Sequence, residues 1–238
     1  MKTSHILQEC TEVRNDWKLA IATDMVLRAQ GADPKIVRAR QPQLVALAER
    51  AIAEGMPLIH PKAAIREMQV LEVASGRVFL DGGAELHSMG PARLLAGAES
   101  IVAVVATVGG ELEQEIERLR GRDLLYQLAL DGFGTAAISE FTAAITRDIH
   151  ARTTGRGQST AKPLYPGMAG WELAAGQSQI FSLVDGGSVG VALNSCHMMT
   201  PRKSVSFVVG MGRKIRAGHD TCNQCEASDR CRHKPAAD

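Results

Sequence analysis

The sequence predicts an α+β domain in which helices flank a mostly antiparallel, twisted sheet. The chain has 238 residues, of which 45% are hydrophobic, so it can bury a sizeable core. Segments with helical periodicity and apolar runs of strand length are interspersed along it, without the regular spacing of βαβ units. Neither an internal repeat nor a sharp linker divides the first part of the chain. We therefore expect one domain over residues 1–212 and a cysteine-containing tail over residues 213–238.

The first predicted helix spans residues 32–55, ADPKIVRARQPQLVALAERAIAEG. Asp33 followed by Pro34 is a typical helix start, because the carboxylate can cap free N–H groups and proline fits the first turn. Apolar residues then recur at the i, i+3, i+4 spacing of an amphipathic helix. Gly55 is a typical helix stop. The proline-bounded segment MPLIHP that follows predicts a loop.

Two strand signals and two helix signals occupy the middle of the chain. Residues 67–83, EMQVLEVASGRVFLDGG, predict a β-hairpin that turns at Ser-Gly, and residues 100–110, SIVAVVATVGG, predict a buried strand. ELEQEIERLRG predicts a helix, and a longer helix is expected from residue 123 to about residue 150. The apolar residues of the longer helix predict a buried stripe of Leu124, Leu125, Leu128, Ala129, Ile138 and Phe141.

The last third begins with an aperiodic segment. Residues 151–170 are rich in Gly, Thr, Ser and Pro and predict a long loop, a kind of segment that is often functional. A helix is expected over residues 174–184, and strands over residues 187–193 and 203–212. The G-x-G of VVGMGRK lacks the third glycine of a dinucleotide-binding fingerprint, and no serine lies in a G-x-S-x-G elbow. Nucleotide binding and serine hydrolysis are therefore disfavoured.

The charge and hydropathy of the chain indicate which kinds of partner it binds and in which cellular compartment it is expected. The 27 basic and 26 acidic residues nearly balance, which argues against a general nucleic-acid binder. Residues 202–238 contain eight Lys or Arg and four Asp or Glu, so this end of the chain carries a net charge of +4. The N-terminus is polar, and no apolar run approaches the roughly 20 residues that span a bilayer. We expect a cytoplasmic protein with no membrane partner.

Three of the five cysteines lie in TCNQCEASDRCRH, near the C-terminus. They are Cys222, Cys225 and Cys231. In a reducing compartment such a cluster favours metal binding, with redox-active thiols or no role as the alternatives. For zinc, His219 or His233 could complete a Cys₃His site. For an iron–sulfur cluster, most simply of the 4Fe–4S type, Cys196 or Cys10 could supply a fourth thiolate, or one iron could stay open.

Residues 165–212 contain a series of short motifs. The motifs are Pro166-Gly167, Trp171, Gln179-Ile180-Phe181, Gly190-Val191-Ala192-Leu193 and Met199-Thr200-Pro201-Arg202-Lys203-Ser204-Val205. This pattern resembles the activation (reactivation) domain of cobalamin-dependent methionine synthase and, more closely, free-standing relatives of that domain. Upstream, ATVGGELEQEIERL and LALDGFGTAAISE also resemble the free-standing relatives, while the likeness is weak before residue 94. The cysteine tail is similar to tails on some of these relatives and is absent from the synthase domain.

The resemblance implies a site for S-adenosylmethionine. Carried over to this sequence, it comprises Lys162, Pro166, Gly167, Met168 and Trp171. Two positions depart from the family pattern, because Lys162 stands near the family's arginine and Met168 stands where tyrosine is expected. A lysine is a point charge and cannot make the planar, bidentate contact of a guanidinium group.

The resemblance also implies a corrinoid-binding protein or cobalamin-dependent methyltransferase as partner, with a separate electron-donor protein as a further one. We expect an accessory redox protein whose iron–sulfur cluster supports reductive reactivation of cob(II)alamin, because such clusters reach low potentials. One alternative is a non-catalytic module that binds a corrinoid protein or S-adenosylmethionine and contains structural zinc. Another is a stand-alone enzyme that uses S-adenosylmethionine.

Overall fold

The computed structural model of the chain describes residues 11–215. Nine strands and seven α-helices lie within this range. The strands are β1 (Glu12–Arg14), β2 (Lys62–Ala74), β3 (Arg77–Leu80), β4 (Glu85–His87), β5 (Ser100–Thr107), β6 (Ser159–Thr160), β7 (Ala192–Leu193), β8 (Met199–Thr200) and β9 (Ser204–Gly212). The helices are α1 (Thr23–Ala29), α2 (Pro34–Arg40), α3 (Pro42–Gly55), α4 (Met89–Leu94), α5 (Glu111–Arg118), α6 (Leu124–Gly155) and α7 (Leu173–Leu183).

Seven strands form one antiparallel sheet in the order β4–β3–β2–β5–β9–β6, with β1 added beside β2. β2 and β5 pair from Lys62 opposite Thr107 to Gln69 opposite Ser100. β7 and β8 form a separate small hairpin. The α+β fold with a mostly antiparallel sheet is therefore confirmed. Among the described residues, no helix is both long and apolar enough to cross a membrane.

β5 lies at the centre of the sheet, and all of its residues are buried. Side chains alternate between the two faces of a strand, and β5 accordingly contributes to two hydrophobic clusters. Val102, Val104 and Ala106 pack in the first cluster with α1, α2, α3, α5 and α6. Ile101 and Val105 pack in the second cluster with α4 and α7. The sheet is thus covered by helices on both faces, which explains why β5 reads as a continuous apolar run.

The hairpin predicted over residues 67–83 is present as β2 and β3. Its turn residues, Ser75 and Gly76, have φ values of 51° and 76°. Both values lie in the left-handed region that a two-residue hairpin turn of type I′ requires. β2 begins at Lys62, earlier than the sequence predicts, because its first half pairs with β5 and β1.

Proline divides the first predicted helix into α2 and α3. Asp33 caps α2 as predicted, and its carboxylate accepts from the Lys35 N–H at 2.8 Å. Gln41, which precedes Pro42, has a φ of −143° and a ψ of 61°. A residue before proline is sterically disfavoured in the helical region, so the helix ends there and a new one begins at Pro42.

The long helix α6 begins after Asp123, whose carboxylate accepts from the Tyr126 N–H at 3.0 Å. The predicted buried stripe is wrong at its start, because the side chains of Leu124, Leu125 and Leu128 are 67%, 57% and 53% exposed. Tyr126 takes the buried position of this first turn, and its hydroxyl donates to the Glu54 carboxylate of α3. Further along the stripe, Ala129 and Phe141 are buried and Ile138 is half-buried, which agrees with the prediction.

Two predictions in the last third need correction. The loop predicted from residue 151 begins later, because α6 continues to Gly155. The strand predicted over residues 187–193 is mostly absent: Gly186–Val189 is a 3-10 turn, and only Ala192–Leu193 is a strand. Gly190 has a φ of 77°, and a residue in the left-handed region cannot continue an extended strand. The helix at Leu173–Leu183 and the strand at Ser204–Gly212 are confirmed.

Candidate functional site

Four of the five residues predicted to bind S-adenosylmethionine lie on a tight turn between β6 and α7. The turn closes on its own backbone: the Met168 N–H donates to the Tyr165 carbonyl at 3.2 Å, and the Trp171 N–H donates to the Met168 carbonyl at 2.9 Å. The Gly167 N–H donates back to the Trp171 carbonyl at 2.8 Å. Gly167 has a φ of 91°, which only glycine adopts readily. The turn therefore has a defined backbone shape.

The side chain of Trp171 extends from this turn into the hydrophobic core and anchors the turn there. This side chain is only 1% exposed and belongs to the second hydrophobic cluster. The indole Nε1 donates to the Gln179 side-chain oxygen at 3.3 Å. Gln179 in turn accepts from the His87 N–H at 3.2 Å and donates to the His87 carbonyl at 3.1 Å. Two motif residues of the resemblance, Trp171 and Gln179, thus join the turn to the edge strand β4.

Glycines allow close contact between the turn and its neighbours. A Cβ on Gly176 of α7 would lie 2.8 Å from Trp171 Nε1 and 2.9 Å from Pro166 Cβ. Such distances are shorter than van der Waals contact, so α7 packs directly on the turn only because residue 176 lacks a side chain. Opposite this contact, the Gly90 N–H of α4 donates to the Gly170 carbonyl at 2.9 Å. The turn is therefore held between α4 and α7.

The outward side of the turn combines small, apolar and cationic groups. Gly167 is exposed, while Pro166 and Met168 are half-buried. Lys162 is also exposed. It lies on the segment that runs beside β9, between Ala161, whose N–H donates to the Gly210 carbonyl, and the bridge of Leu164 to Val208. The structure thus brings four of the five predicted residues into one turn and places Lys162 on the strand segment that leads into it.

Sequence reasoning missed a polar cluster next to the turn, at the start of α7. The Glu172 carboxylate caps the helix by accepting from the N–H groups of Ala174 at 2.9 Å and Ala175 at 2.7 Å. The Ser178 hydroxyl lies 3.0 Å from His197 Nδ1. A carboxylate just before a helical segment is a typical start signal that could have been used, but the contact between Ser178 and His197 has no signal in the sequence.

His197 and Cys196 occupy the tip of the hairpin formed by β7 and β8. Asn194 organises this tip, because its side-chain oxygen accepts from the Cys196 N–H at 2.9 Å and from the Met198 N–H at 3.0 Å. His197 has a φ of 57°, which is uncommon for a residue other than glycine. Cys196 is an exposed, free thiol. The contact with Ser178 places this tip beside the middle of α7.

The capping role of Glu172 leads to a prediction about pH. The two backbone N–H groups and the nearby His197 hold the pKa of Glu172 below its ordinary value of 4.5. A lowered pKa stabilises the fold above the ordinary value, and this contribution is lost as the pH falls through the lowered pKa. Glu172→Gln should therefore lower the melting temperature at pH 7 and lower it less at acidic pH. Melting curves of both proteins between about pH 3 and 7 test this; a difference independent of pH would contradict it.

Only one of the four predicted metal ligands lies within the described residues. Cys222, Cys225 and Cys231 lie outside the described residues, as do the alternative ligands at positions 10, 219 and 233. Cys196 is the one predicted ligand within residues 11–215. Over that range, no group of three or more His, Cys, Asp or Glu residues could hold a metal ion. The described residues can thus offer one accessible thiol to such a site.

Three cavities lie away from the turn. One of about 500 Å³ is lined by Asp24 and Arg38 near the start of α1. Another of about 500 Å³ lies where β5 meets α5 and is lined by His60 and Glu111, whose Nε2 and Oε2 atoms are 3.2 Å apart. The third, of about 260 Å³, lies between the sheet and the end of α6. No residue of the predicted binding turn lines these three cavities.

The fold is similar to a solved structure, described as the crystal structure of the MetH reactivation domain bound to AdoHcy. The two share 12% sequence identity and a TM-score of 0.63, and the match covers 92% of this chain and 85% of that chain. No protein-family model matches the chain, and no curated protein sequence matches it. A likeness at this identity shows the fold, and the fold that the sequence resemblance implied is confirmed. The chain has the fold of the MetH reactivation domain.

Proposed function

We propose that this chain is an accessory protein of a corrinoid-dependent methyltransferase system, which docks on the corrinoid protein and supports the reductive reactivation of cob(II)alamin. The observation that carries this proposal is the match to a reactivation domain over 92% of the chain. The motifs between residues 165 and 212 led to the same expectation from the sequence alone. Two of these motifs, Trp171 and Gln179, lie eight residues apart in the chain and contact each other in the fold.

We propose further that the turn at Pro166, Gly167 and Met168 binds S-adenosylmethionine or its product. The neighbouring structure is bound to AdoHcy, and the turn offers a shaped, exposed backbone at Gly167. Lys162 would attract the carboxylate of such a ligand as a point charge. Trp171 would act from the core as a positioning residue, since its side chain is buried beneath the turn. The alternative is a module that binds a corrinoid protein or S-adenosylmethionine without redox chemistry and contains structural zinc in the tail.

The tail supplies the redox part of the proposal. Cys222, Cys225 and Cys231, with Cys196 as fourth ligand, would hold an iron–sulfur cluster. Such a cluster provides electrons at low potential. Cys196 fits this role because its thiol is exposed at a hairpin tip and its backbone is fixed by Asn194. The contribution of the described residues would therefore be one exposed thiol, on a hairpin tip that contacts α7 through His197 and Ser178.

Replacing Cys222 and Cys225 with serine together tests this proposal. The wild-type protein, purified without oxygen, is expected to contain iron and sulfide and to show visible absorption that dithionite bleaches. The double variant should lose the iron, the absorption and the delivery of electrons to a corrinoid protein. Cys196→Ser should reduce the iron content if Cys196 is the fourth ligand. Reactivation that continues after the iron is lost would contradict the redox mechanism, and zinc in place of iron would favour the binding-module alternative.

A further inference from the structure

A cavity of about 260 Å³ lies between the sheet and the last turns of α6. Its floor is mostly apolar and its rim is charged. The floor consists of Ile65, Val102, Ile149, Met211 and Thr153, and the rim of Glu12, Glu67, Arg152 and Arg156. The floor residues are buried, between 1% and 4% exposed, and they come from β2, β5, β9 and α6. The cavity is therefore formed by core elements of the fold.

The rim presents two guanidinium groups and two carboxylates. Arg156 Nη1 lies 2.8 Å and 3.0 Å from the two carboxylate oxygens of Glu67. Arg152 Nη1 lies 3.7 Å from Glu12 Oε2, and its Nη2 pairs more closely with the Asp148 carboxylate, one turn earlier on α6 and outside the cavity lining. The four rim side chains are between 38% and 54% exposed. Exposed ion pairs contribute little to stability. These side chains can therefore leave their present partners and pair with charged groups of a ligand, at a small cost in the free energy of folding.

We propose that this cavity binds a small α-amino acid with an aliphatic side chain. The carboxylate of the ligand would pair with the arginine groups, which bind carboxylates through two parallel hydrogen bonds. Its ammonium group would pair with Glu67 and Glu12. A ligand with a single charge would break these pairs and leave either the carboxylates or the guanidinium groups without a partner. A zwitterion offers an oppositely charged group to each. The apolar floor would receive the side chain.

The cavity is large enough for such a ligand. Its volume of about 260 Å³ lies just below the range of small-molecule sites, which begins at about 300 Å³. It can therefore accommodate an amino acid such as leucine. The lining residues are all different from those of the turn at residues 162–171. The proposal is thus independent of the function proposed for that turn.

Calorimetric titration of the full chain with L-leucine tests the proposal. Isocaproate, which lacks the ammonium group, and isoamylamine, which lacks the carboxylate, serve as matched ligands. We expect leucine to bind and each analogue to bind about tenfold or more weakly, because one set of charges then loses its partner. Arg156→Gln and Glu67→Gln should each weaken leucine binding to a similar extent. Arg147→Gln is the control: Arg147 lies on the same helix but pairs with Glu140 at 2.7 Å, outside the cavity.

The other outcomes overturn the proposal. Absence of heat with leucine at millimolar concentration excludes the site, and equal binding of isocaproate makes it a simple anion site. A titration with AdoHcy on the same preparations separates this site from the proposed turn. Arg156→Gln should leave AdoHcy binding unchanged; a parallel loss of both ligands would show one shared site. Circular dichroism of each variant confirms that the fold is intact.

Discussion

Trp171→Ala is expected to lower the free energy of unfolding by about 3–5 kcal/mol, the range typical of truncating a large aromatic residue in a core. The indole is 1% exposed and packs in the second hydrophobic cluster, between α4 and α7. Small domains have a total stability of about 5–15 kcal/mol, so the loss is a substantial fraction. Urea unfolding followed by circular dichroism measures it. A loss below about 1 kcal/mol would show that the turn is not anchored by this residue.

Trp171→Phe separates packing from hydrogen bonding. The variant keeps most of the apolar volume and removes the Nε1 donor to Gln179, a bond that is long at 3.3 Å. A typical hydrogen bond contributes about 1 kcal/mol, so this variant should be clearly more stable than Trp171→Ala. If the turn binds AdoHcy as proposed, both variants should bind it more weakly, in the order of their stability losses. AdoHcy affinity that is unchanged in Trp171→Ala would remove Trp171 from the proposed site.

Gly55→Ala is expected to destabilise the protein by about 1–2 kcal/mol, against the usual effect of this substitution. Gly55 ends α3 with a φ of −84°, a value that alanine adopts, and helix propensity alone would favour alanine by up to ~1 kcal/mol. However, a Cβ there would lie 2.6 Å from two ring atoms of Phe133, a fully buried residue of α6. Overpacking of a core costs about 1–3 kcal/mol, so we expect packing to dominate.

Gly155→Ala is the matched control. Gly155 ends α6, and no atom lies within 4 Å of the position that its Cβ would occupy. The same substitution should therefore be neutral or stabilise by about 0.5 kcal/mol. Thermal unfolding of the two variants beside the wild type gives both values. Equal effects at the two positions would show that helix propensity, and not the contact with Phe133, decides the outcome.

The predictions that succeeded rest on interactions between residues close in the chain. Asp33 caps its helix as predicted, and the long helix begins at the predicted place, where Asp123 caps it; the capped N–H groups lie two and three residues away. Ser75 and Gly76 form a two-residue turn, and the apolar run of β5 identifies a strand buried on both faces. The pattern around Trp171 identified the fold, which the match to the MetH reactivation domain confirms. Such signals can be read without knowledge of the rest of the molecule.

The short elements were missed because distant residues create them. β1, β4 and β8 have two or three residues each and exist only beside their partners. The helices α1 and α4 were also missed: they have only seven and six residues, too few to show a clear helical periodicity. The predicted ligand Cys196 lies beside α7 because of the contact between Ser178 and His197, which no local pattern encodes.

The class of fold, the likeness to the reactivation domain and the position of the proposed binding turn can be read from the amino-acid sequence. The three-dimensional packing was needed to show which side of α6 is buried, because Leu124, Leu125 and Tyr126 are all apolar enough for a core. It was also needed to show that Trp171 supports the turn from the core. The physical reason is the same in both cases: capping and turn formation depend on neighbours in the chain, whereas burial depends on which surface packs opposite.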